Sequence, residues 1–299
     1  MGEPWVIKTT GLRKNYGPIA ALSGLDLEVP PGSIYGFLGR NGSGKTTTVK
    51  ILLGMTHATA GGACVLGLPA NEPDASVRIR QRTGYVSEEK DMIESMTVEA
   101  IIRFTAAFYP SWRKDLEQRY LSRFELPPLQ KVKTLSRGVR TKLALLLALS
   151  RGAELLILDE PTSGLDPTVT EQVLQALVTH VASEEMTVFF SSHQIAEVEQ
   201  IADHVAIIDA GRTAVSGALE DLRERYSRVQ MVFDGEAPLN ALRGPGIVRA
   251  RRSGRTLSVL SSAGAEHVIE STRAWSPISV DVVPVTLKEI FLETVSEED

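Results

Sequence analysis

The chain has 299 residues, 43% of them hydrophobic and 23% charged, and its formal net charge is −5. This length allows one large hydrophobic core and a smaller second domain, and the acidic balance argues against bulk binding of nucleic acid. The single cysteine, Cys64, excludes an internal disulfide and favours a reducing compartment.

Two features of the sequence bear on membranes. Residues 1–5 show no basic segment followed by an apolar stretch, so we expect no secretory signal. The longest apolar run, residues 143–149, is far shorter than the ~20 residues that a membrane-spanning helix needs. We therefore expect a cytoplasmic protein that meets a membrane only through separate subunits.

The N-terminal part of the chain predicts an antiparallel sheet, then a buried strand and a helix. Short alternating runs between residues 5 and 36, such as residues 25–29 before the turn Pro30-Pro31-Gly32, are typical of antiparallel strands. Residues 33–38 have the pattern of a buried strand, and residues 48–53 have the pattern of a helix.

The loop between that strand and helix matches the pattern G-x-x-x-x-G-K-[ST] and predicts a nucleoside triphosphate site. Its glycines let backbone N–H groups turn toward phosphates, Lys45 supplies a positive charge, and the Thr46 hydroxyl can bind Mg²⁺. A glycine-rich turn with an incidental lysine is the competing interpretation, which the flanking strand and helix disfavour. The predicted nucleotide-binding residues are Gly39, Arg40, Asn41, Gly42, Ser43, Gly44, Lys45, Thr46 and Thr47.

Two segments follow before the centre of the chain. Residues 83–87 predict a strand that leads to Glu88, and about residues 95–135 predict a helical insert. Next, Ser136 and Gly138 stand just before the apolar helix of residues 143–149, where a helix N-terminus can bind an anion. A capped helix start is the simpler interpretation of that segment alone.

The acidic strand of residues 155–160 ends in two carboxylates. Asp159 is placed to hold Mg²⁺ through a water, and Glu160 to accept a proton from, or orient, a water that attacks a γ-phosphate. A strand ending in surface acids is the alternative. A turn-rich loop, residues 161–166, and a second strand, residues 187–192, then lead to His193, which is either a γ-phosphate sensor or a structural histidine.

The remaining residues predict the end of one domain and a second domain. Residues 205–212 have the pattern of a strand and turn, and residues 218–226 that of a closing helix. Residues 227–299 predict a small α+β domain. Four arginines on its predicted hairpin indicate a solvated face or, as the less favoured interpretation, a surface for an anionic partner or lipid headgroups: Arg249, Arg251, Arg252 and Arg255.

Over about residues 5–220, this ordered set of motifs resembles the nucleotide-binding subunit of an ATP-binding cassette (ABC) transporter, and the C-terminal appendage is similar to those of export-type members. The resemblance implies an α/β P-loop NTPase with a parallel-sheet core, an antiparallel β portion and the helical insert. It implies an ABC ATPase domain of residues 1–226 and a C-terminal accessory domain of residues 227–299.

The family's functional residues carry over to matching positions. The catalytic positions would be Glu160, His193 and Lys45, and the metal positions would be Thr46, Glu88 and Asp159. Beyond the P-loop, the nucleotide would contact Tyr16 as the residue that stacks on adenine, Ser136 and Gly138 of the signature sequence, and Asp166 of the loop that crosses the dimer. The absence of an Asn-Lys-x-Asp guanine motif favours ATP.

The sequence departs from the family pattern at three positions. The usual signature, Leu-Ser-Gly-Gly-Gln, has Arg137 at its third place and Val139 at its fifth. Glu88 replaces the usual glutamine, and an acid can still bind Mg²⁺. Arg137 would either add positive charge or point to solvent.

The resemblance also implies a mechanism and partners. ATP would lie between the P-loop of one subunit and the signature of another, in a homodimer or a heterodimer with a related cassette, and a transmembrane permease would use the resulting motion. A soluble cassette acting on ribosomes or DNA, and a sensor that binds ATP without turnover, are the alternatives. The transported substrate is not encoded in these motifs.

Overall fold

The computed structural model describes residues 5–238 and 244–295, and its contacts divide the chain into two compact units, Met1–Ser216 and Gly217–Asp299. The helix Leu219–Arg225 belongs to the second unit, whereas the sequence pattern assigns it to the end of the first. The domain boundary after residue 226 stays a prediction, because contacts do not test independent folding. Within the described ranges, no helix has the length and apolar character needed to cross a membrane.

The first unit is built on a ten-stranded sheet. Its strands are β1 (Ile7–Tyr16), β2 (Ile19–Val29), β3 (Ile34–Gly39), β4 (Ala60–Val65), β5 (Leu68–Pro69), β6 (Thr83–Val86), β7 (Leu155–Asp159), β8 (Thr187–Ser192), β9 (His204–Asp209) and β10 (Arg212–Ala218). They lie in the order β5-β4-β1-β2-β10-β9-β3-β8-β7-β6. The prediction of an α/β fold with a parallel core and an antiparallel portion is confirmed.

The parallel core positions the functional site. Strand β3 pairs in parallel with β8 and β9, and β7 pairs in parallel with β6 and β8. Every residue of β3, β7 and β8 is buried, as expected for strands covered on both faces. Because the carboxyl ends of parallel strands meet at one edge, the P-loop, the acidic pair and His193 emerge side by side.

The antiparallel portion continues the same sheet. Strand β1 pairs antiparallel with β2 and β4, and β2 joins the core through a parallel pairing of its Gly24 with Arg212 of β10. Strand β10 is not predicted from the sequence, since Arg-Thr-Ala-Val-Ser-Gly-Ala has one buried apolar residue, Val215. Short side chains and a glycine leave such a strand without a clear period of two.

Some of the α-helices begin at a residue whose side chain caps the helix. The α-helices are α1 (Lys45–Leu52), α2 (Pro73–Arg82), α3 (Val98–Ala106), α4 (Lys114–Arg123), α5 (Arg137–Leu149), α6 (Pro167–Glu184), α7 (Ile195–Ile201), α8 (Leu219–Arg225), α9 (Ala265–Thr272) and α10 (Leu287–Thr294), with 3₁₀ turns at Val132–Thr134 and Arg273–Trp275. Thr97, Ser136 and Asp166 each accept a backbone N–H with the side chain at the start of α3, α5 and α6. Helices α3 and α4 lie within the predicted helical insert of about residues 95–135.

The second unit is an antiparallel sheet with helices. Its strands are β11 (Ser227–Val232), β12 (Ile247–Ser253), β13 (Thr256–Ser261) and β14 (Ser279–Pro284), in the order β12-β13-β11-β14. The hairpin arginines form ion pairs inside the unit: Arg249 and Arg251 with Glu293, Arg252 with Glu236, and Arg255 with Asp234. This pairing favours a solvated face over a surface for an anionic partner.

Candidate functional site

A cavity of about 550 Å³ lies at the edge of the sheet where β3 and β8 end. It brings together predicted residues from four separate segments. Its lining comprises Ala21, Asn41, Gly42, Gly44, Lys45, Thr46, Thr47, Glu88, Glu160, Ser163 and His193. Ala21 is not predicted from the sequence, because an alanine in a strand carries no chemical signal.

The P-loop is a tight turn that leads directly into α1. Gly44 stands before the helix with φ +108°, a left-handed conformation that side chains rarely adopt. A Cβ on this residue would also lie 2.7 Å from the carbonyl oxygen of Ala21. Glycine is therefore required here both by backbone conformation and by space. The first backbone N–H groups of α1 face the cavity end of the helix, where an anion is stabilised.

Lys45 is buried, with 6% of its surface exposed, and its ammonium group is fully partnered. Nζ donates to the carbonyl oxygens of Gly39 at 2.8 Å and Arg40 at 3.2 Å, and it lies 3.2 Å from Oε1 of Glu160. The strand end and the P-loop thus hold the lysine at the cavity wall. Its charge is directed toward the acidic side of the cavity.

Glu160 is the centre of the polar contacts. It is 5% exposed, and its Oε2 lies 2.7 Å from Nδ1 of His193 while Oε1 faces Lys45. Its backbone has φ +46°, a conformation that costs a residue other than glycine about 1–2 kcal/mol. Strain of this kind concentrates at functional sites, where the surrounding structure maintains it. The arrangement places a carboxylate between a lysine and a histidine at the cavity surface.

Asp159 lies behind Glu160 and is almost completely buried. Its Oδ1 accepts a hydrogen bond from the Ser191 hydroxyl at 2.6 Å, and Ser191 Oγ accepts one from the backbone N–H of Glu160 at 3.1 Å. Ser191 on β8 therefore holds Asp159 at the end of β7 and the backbone of Glu160, which follows the strand. The sequence predicts the strand that contains Ser191 but not this role, because the pairing of the serine with Asp159 spans 32 residues of chain.

The loop after β6 brings Glu88 to the cavity and buries Lys90. Lys90 Nζ donates to the carbonyl oxygen of Glu88 at 2.9 Å, and the Lys90 N–H donates to Ser87 Oγ at 3.1 Å. Burial, and after it the positive charge of Arg137, lowers the pKa of Lys90 to about 8. The lysine thus closes the turn that presents Glu88.

The oxygen donors at the cavity fit Mg²⁺. Thr46 and Glu88 line it, and Asp159 lies at the end of β7 with its Oδ1 held by Ser191. These are hard ligands of the type that Mg²⁺ prefers. In the parts of the chain that the structure describes, no group of three or more His, Cys, Asp or Glu residues forms a complete metal cage. Such a site suits an ion that also takes phosphate and water oxygens.

Seven predicted nucleotide contacts do not line this cavity: Gly39, Arg40 and Ser43 of the P-loop, and Tyr16, Ser136, Gly138 and Asp166 beyond it. Tyr16 lies at the end of β1, 46% exposed, with Lys14 Nζ 4.9 Å above its ring. Ser136 caps α5, Gly138 follows in its first turn, and Asp166 caps α6. Ser136 and Asp166 are exposed. Within one copy, the signature residues are therefore separate from the P-loop cavity.

Arg137 does not simply point to solvent. Gly164, in the loop between β7 and α6, has φ +68°, and a Cβ built there would lie 2.5 Å from Nη1 and 2.7 Å from Cζ of Arg137. The guanidinium therefore occupies the space beside this glycine. The departure from the usual signature places a positive charge between the signature helix and the loop that leads to Asp166.

A second cavity, of about 400 Å³, lies beside the helical insert. Its lining includes exposed apolar side chains, Met55, Val77 and Phe108, the last of them 65% exposed. The Arg151 guanidinium lies 3.9 Å from the centre of the Tyr109 ring on the same wall. Trp112, in contrast, donates to Glu117 within the insert, and Phe104 packs against Phe108. Of the aromatic residues of the insert, Phe108 and Tyr109 line this cavity, whereas Trp112 stabilises α4.

Comparison with known proteins identifies the family. The family model "ABC transporter" matches residues 22–163. The chain is 30% identical to Nod factor export ATP-binding protein I of Rhizobium johnstonii, over 99% of this chain and 96% of the relative. It is 35% identical to the bacitracin transport ATP-binding protein BcrA of Bacillus licheniformis, over 74% of this chain and 72% of the relative.

Solved structures agree with these sequence relatives. The ATP-binding subunit of an ABC transporter is 25% identical, covers 73% of this chain and 92% of its own, and superposes with a TM-score of 0.66. A dimeric bacterial ABC transporter cassette, 22% identical, covers 71% of this chain and 98% of its own with a TM-score of 0.65, and it shares the fold. The chain belongs to the ATP-binding proteins of ABC transporters, which are ATPases that use ATP with Mg²⁺ and work as dimers with transmembrane permease components.

Proposed function

We propose that this chain hydrolyses ATP between two cassettes and thereby powers export through a separately encoded transmembrane permease. The observation that carries the proposal is the meeting of Lys45, Glu160 and His193 at one cavity, at the ends of neighbouring parallel strands. A lysine for phosphate charge, a carboxylate for the attacking water and a histidine beside it are the groups that phosphoryl transfer requires.

Glu160 is assigned as the residue that orients or deprotonates the attacking water. Its contact with His193 Nδ1 at 2.7 Å holds one oxygen in place, and burial excludes bulk water from the carboxylate. His193 is 42% exposed, so its other ring edge is free to face the γ-phosphate. Catalysis at such a site is mainly positioning and charge stabilisation.

Thr46, Asp159 and Glu88 are assigned to Mg²⁺, and the residues of the P-loop to the phosphates. When bound, Mg²⁺ neutralises charge on the phosphate oxygens. The Thr46 hydroxyl stands at the start of α1, and Ser191 orients Asp159 toward the cavity edge of the sheet. Lys45 replaces its contact with Glu160 by a contact with phosphate, which frees the carboxylate for water.

The signature residues require a second cassette. Ser136, Gly138 and Asp166 lie outside the cavity of their own chain, and both helix N-termini that carry them can face an anion. Two copies in an isologous dimer would each complete the site of the other. Tyr16, exposed at the end of β1, is assigned to stacking on adenine.

The second cavity, which lies beside the helical insert and is called the insert cavity below, is assigned to binding of the permease. Its exposed apolar residues, Met55, Val77 and Phe108, suit a short amphipathic helix of a partner. The export direction rests on relatives named for Nod factor export and bacitracin transport. On this proposal the protein is cytoplasmic and peripheral, on the inner face of the cell membrane.

The experiment that tests this proposal is affinity purification of tagged Glu160→Gln protein from detergent-solubilised membranes in ATP and Mg²⁺. Mass spectrometry identifies the proteins that accompany it. We expect a polytopic membrane protein in stoichiometric amount, because the substitution preserves the ATP-bound dimer. A Phe108→Asp variant of the same protein, which puts a charge into the apolar groove, should lose that partner and keep ATP binding.

Two outcomes would each contradict one part of this proposal. Recovery of soluble partners alone would move the function to a cassette ATPase that acts away from the membrane. Recovery of a membrane protein that stays bound to Phe108→Asp would retain the transporter and overturn the assignment of the insert cavity.

A further inference from the structure

Glu197 is a buried acid that none of the preceding assignments uses. It lies on α7, four residues after His193, and only 5% of it is exposed. Its Oε2 accepts a hydrogen bond from the Thr162 hydroxyl at 2.6 Å and another from the Ser192 hydroxyl at 3.1 Å. Both hydroxyl residues are buried as well, so water does not compete for these bonds. One carboxylate oxygen therefore joins two separate segments of the chain.

Those two segments carry the two residues at the centre of the site. Thr162 follows Glu160 by two residues, in a turn closed by the Ser163 N–H donating to the Glu160 carbonyl oxygen at 3.3 Å. Ser192 directly precedes His193 at the end of β8. The hydrogen bonds to Glu197 thus fix the backbone segment after Glu160 and the backbone segment before His193.

The other carboxylate oxygen of Glu197, Oε1, is shielded from solvent. Oε1 is buried, and among the residues that the structure describes it has no hydrogen-bond partner. Burial, in addition to the nearby charge of Glu160, raises the pKa of Glu197. A buried acid that accepts two hydroxyls is retained at a cost in free energy, which a purely apolar residue would avoid. The two hydrogen bonds offset this cost in function if they position Glu160 and His193.

We infer that Glu197 is a positioning residue for ATP hydrolysis, which keeps Glu160 and His193 in register by binding Thr162 and Ser192 with one oxygen. The inference rests on the proposed function, since it concerns the same site. Glu197 is not among the described residues that line the cavity. Its loss should therefore affect the rate of turnover more than the binding of ATP.

The test compares four variants of the full chain in ATPase assays. Glu197→Leu removes the acceptor, and we expect kcat to fall about tenfold or more while the KM for ATP changes less than about threefold. Glu197→Gln keeps an oxygen that accepts both hydroxyls, and we expect a kcat within about threefold of wild type. Thr162→Val and Ser192→Ala each remove one donor without leaving a cavity at residue 197, and each should lower kcat by a smaller factor.

Combination variants separate positioning from general stability. If Glu197 acts through both hydroxyls, then Glu197→Leu with Thr162→Val and Ser192→Ala should be no slower than Glu197→Leu alone. Glu199→Gln, on the same helix and outside the cavity, serves as the matched control and should have wild-type kinetics. Thermal unfolding shows that each protein is folded at the assay temperature.

Each remaining outcome has a defined meaning. Additive losses, or a kcat of Glu197→Leu equal to wild type, would overturn the inference and leave the ATPase assignment intact. If Glu197→Leu does not fold, the two hydroxyl variants decide, and wild-type kcat in both would overturn the inference. Wild-type protein without ATPase activity would instead contradict the proposed function.

Discussion

Ser191 donates its hydroxyl hydrogen to Asp159 across 2.6 Å, between two buried neighbouring strands. The same Oγ accepts the backbone N–H of Glu160. A single hydroxyl therefore aligns the carboxylate assigned to Mg²⁺ and the backbone of the residue assigned to water. Neither acid is positioned by β7 alone.

Removing that hydroxyl should affect both rate and stability. Ser191→Ala leaves a buried carboxylate oxygen and a buried N–H without this partner, and we expect a loss of about 1–3 kcal/mol in the free energy of unfolding. We also expect kcat to fall by about tenfold or more, because Asp159 and Glu160 lose their alignment. Urea denaturation and steady-state ATPase assays measure the two effects.

The control for this prediction is a buried serine away from the cavity. Ser33 donates to the Pro30 carbonyl oxygen at 2.8 Å, so Ser33→Ala should cost about 1 kcal/mol and leave kcat unchanged. An equal loss of kcat in both variants would mean that stability, and not alignment, limits the rate.

Glu160→Gln should separate ATP binding from turnover. The amide keeps the size of the side chain and removes the base, so we expect kcat to fall by about 10² or more while ATP still binds. Nucleotide binding and phosphate release are measured on the same preparation. Glu171→Gln on the exposed face of α6 is the control. Equal rates for Glu160→Gln and wild type would remove Glu160 from the role of base.

The sequence predicts the motif segments because their chemistry and order are unusual. Strand β8 and the ends of β7 and β3 carry the predicted residues to one cavity edge. Ser191 and Glu197 were outside the prediction, since a serine in a strand and a glutamate in a helix are common. Their roles depend on pairings across 32 and 35 residues of chain, which a linear pattern does not contain.

The contact between Arg137 and Gly164 was also beyond the sequence pattern. The arginine was visible as a departure from the family signature, but its neighbour depends on how α5 packs beside the loop before α6. The nearby Gly138 lies against Val169 of α6, where a Cβ would meet the valine at 3.2 Å. Because the first turns of α5 and α6 pack together, the guanidinium of Arg137 lies beside Gly164.

This contact predicts a shared phenotype for Arg137→Ala and Gly164→Ala. An added Cβ at residue 164 displaces the guanidinium, so both variants should raise the KM for ATP by about threefold to fivefold, as expected for an exposed charge worth about 0.5–1 kcal/mol. The double variant should be no worse than either single variant. ATPase titrations at several ATP concentrations measure the effect.

Gly32 provides a control for backbone strain. It has the same φ of +68°, and a Cβ there would meet nothing within 4 Å. Gly32→Ala and Gly164→Ala should therefore both lose about 1–2 kcal/mol of stability, and only the latter should change the KM. A KM effect in Gly32→Ala would attribute the phenotype to strain.

His180 predicts a pH dependence of stability. It is buried on α6, and its Nδ1 lies 2.9 Å from the Tyr120 hydroxyl of α4. Burial lowers the pKa of His180 to about 4, from 6.5. Because the folded state disfavours the proton, the contribution to stability is fully present above about pH 6.5 and is lost as the pH falls toward 4.

The loss assigned to His180 is about 3 kcal/mol over that pH range, at 1.36 kcal/mol for each pKa unit. His180→Gln keeps a polar partner for Tyr120 and does not titrate, while all other histidines remain. Urea denaturation of both proteins between pH 4 and pH 8 isolates the effect. The stability of wild type relative to the variant should fall by this amount as the solution is acidified. A difference that stays constant with pH would show that the pKa of His180 is the same in the folded and unfolded states.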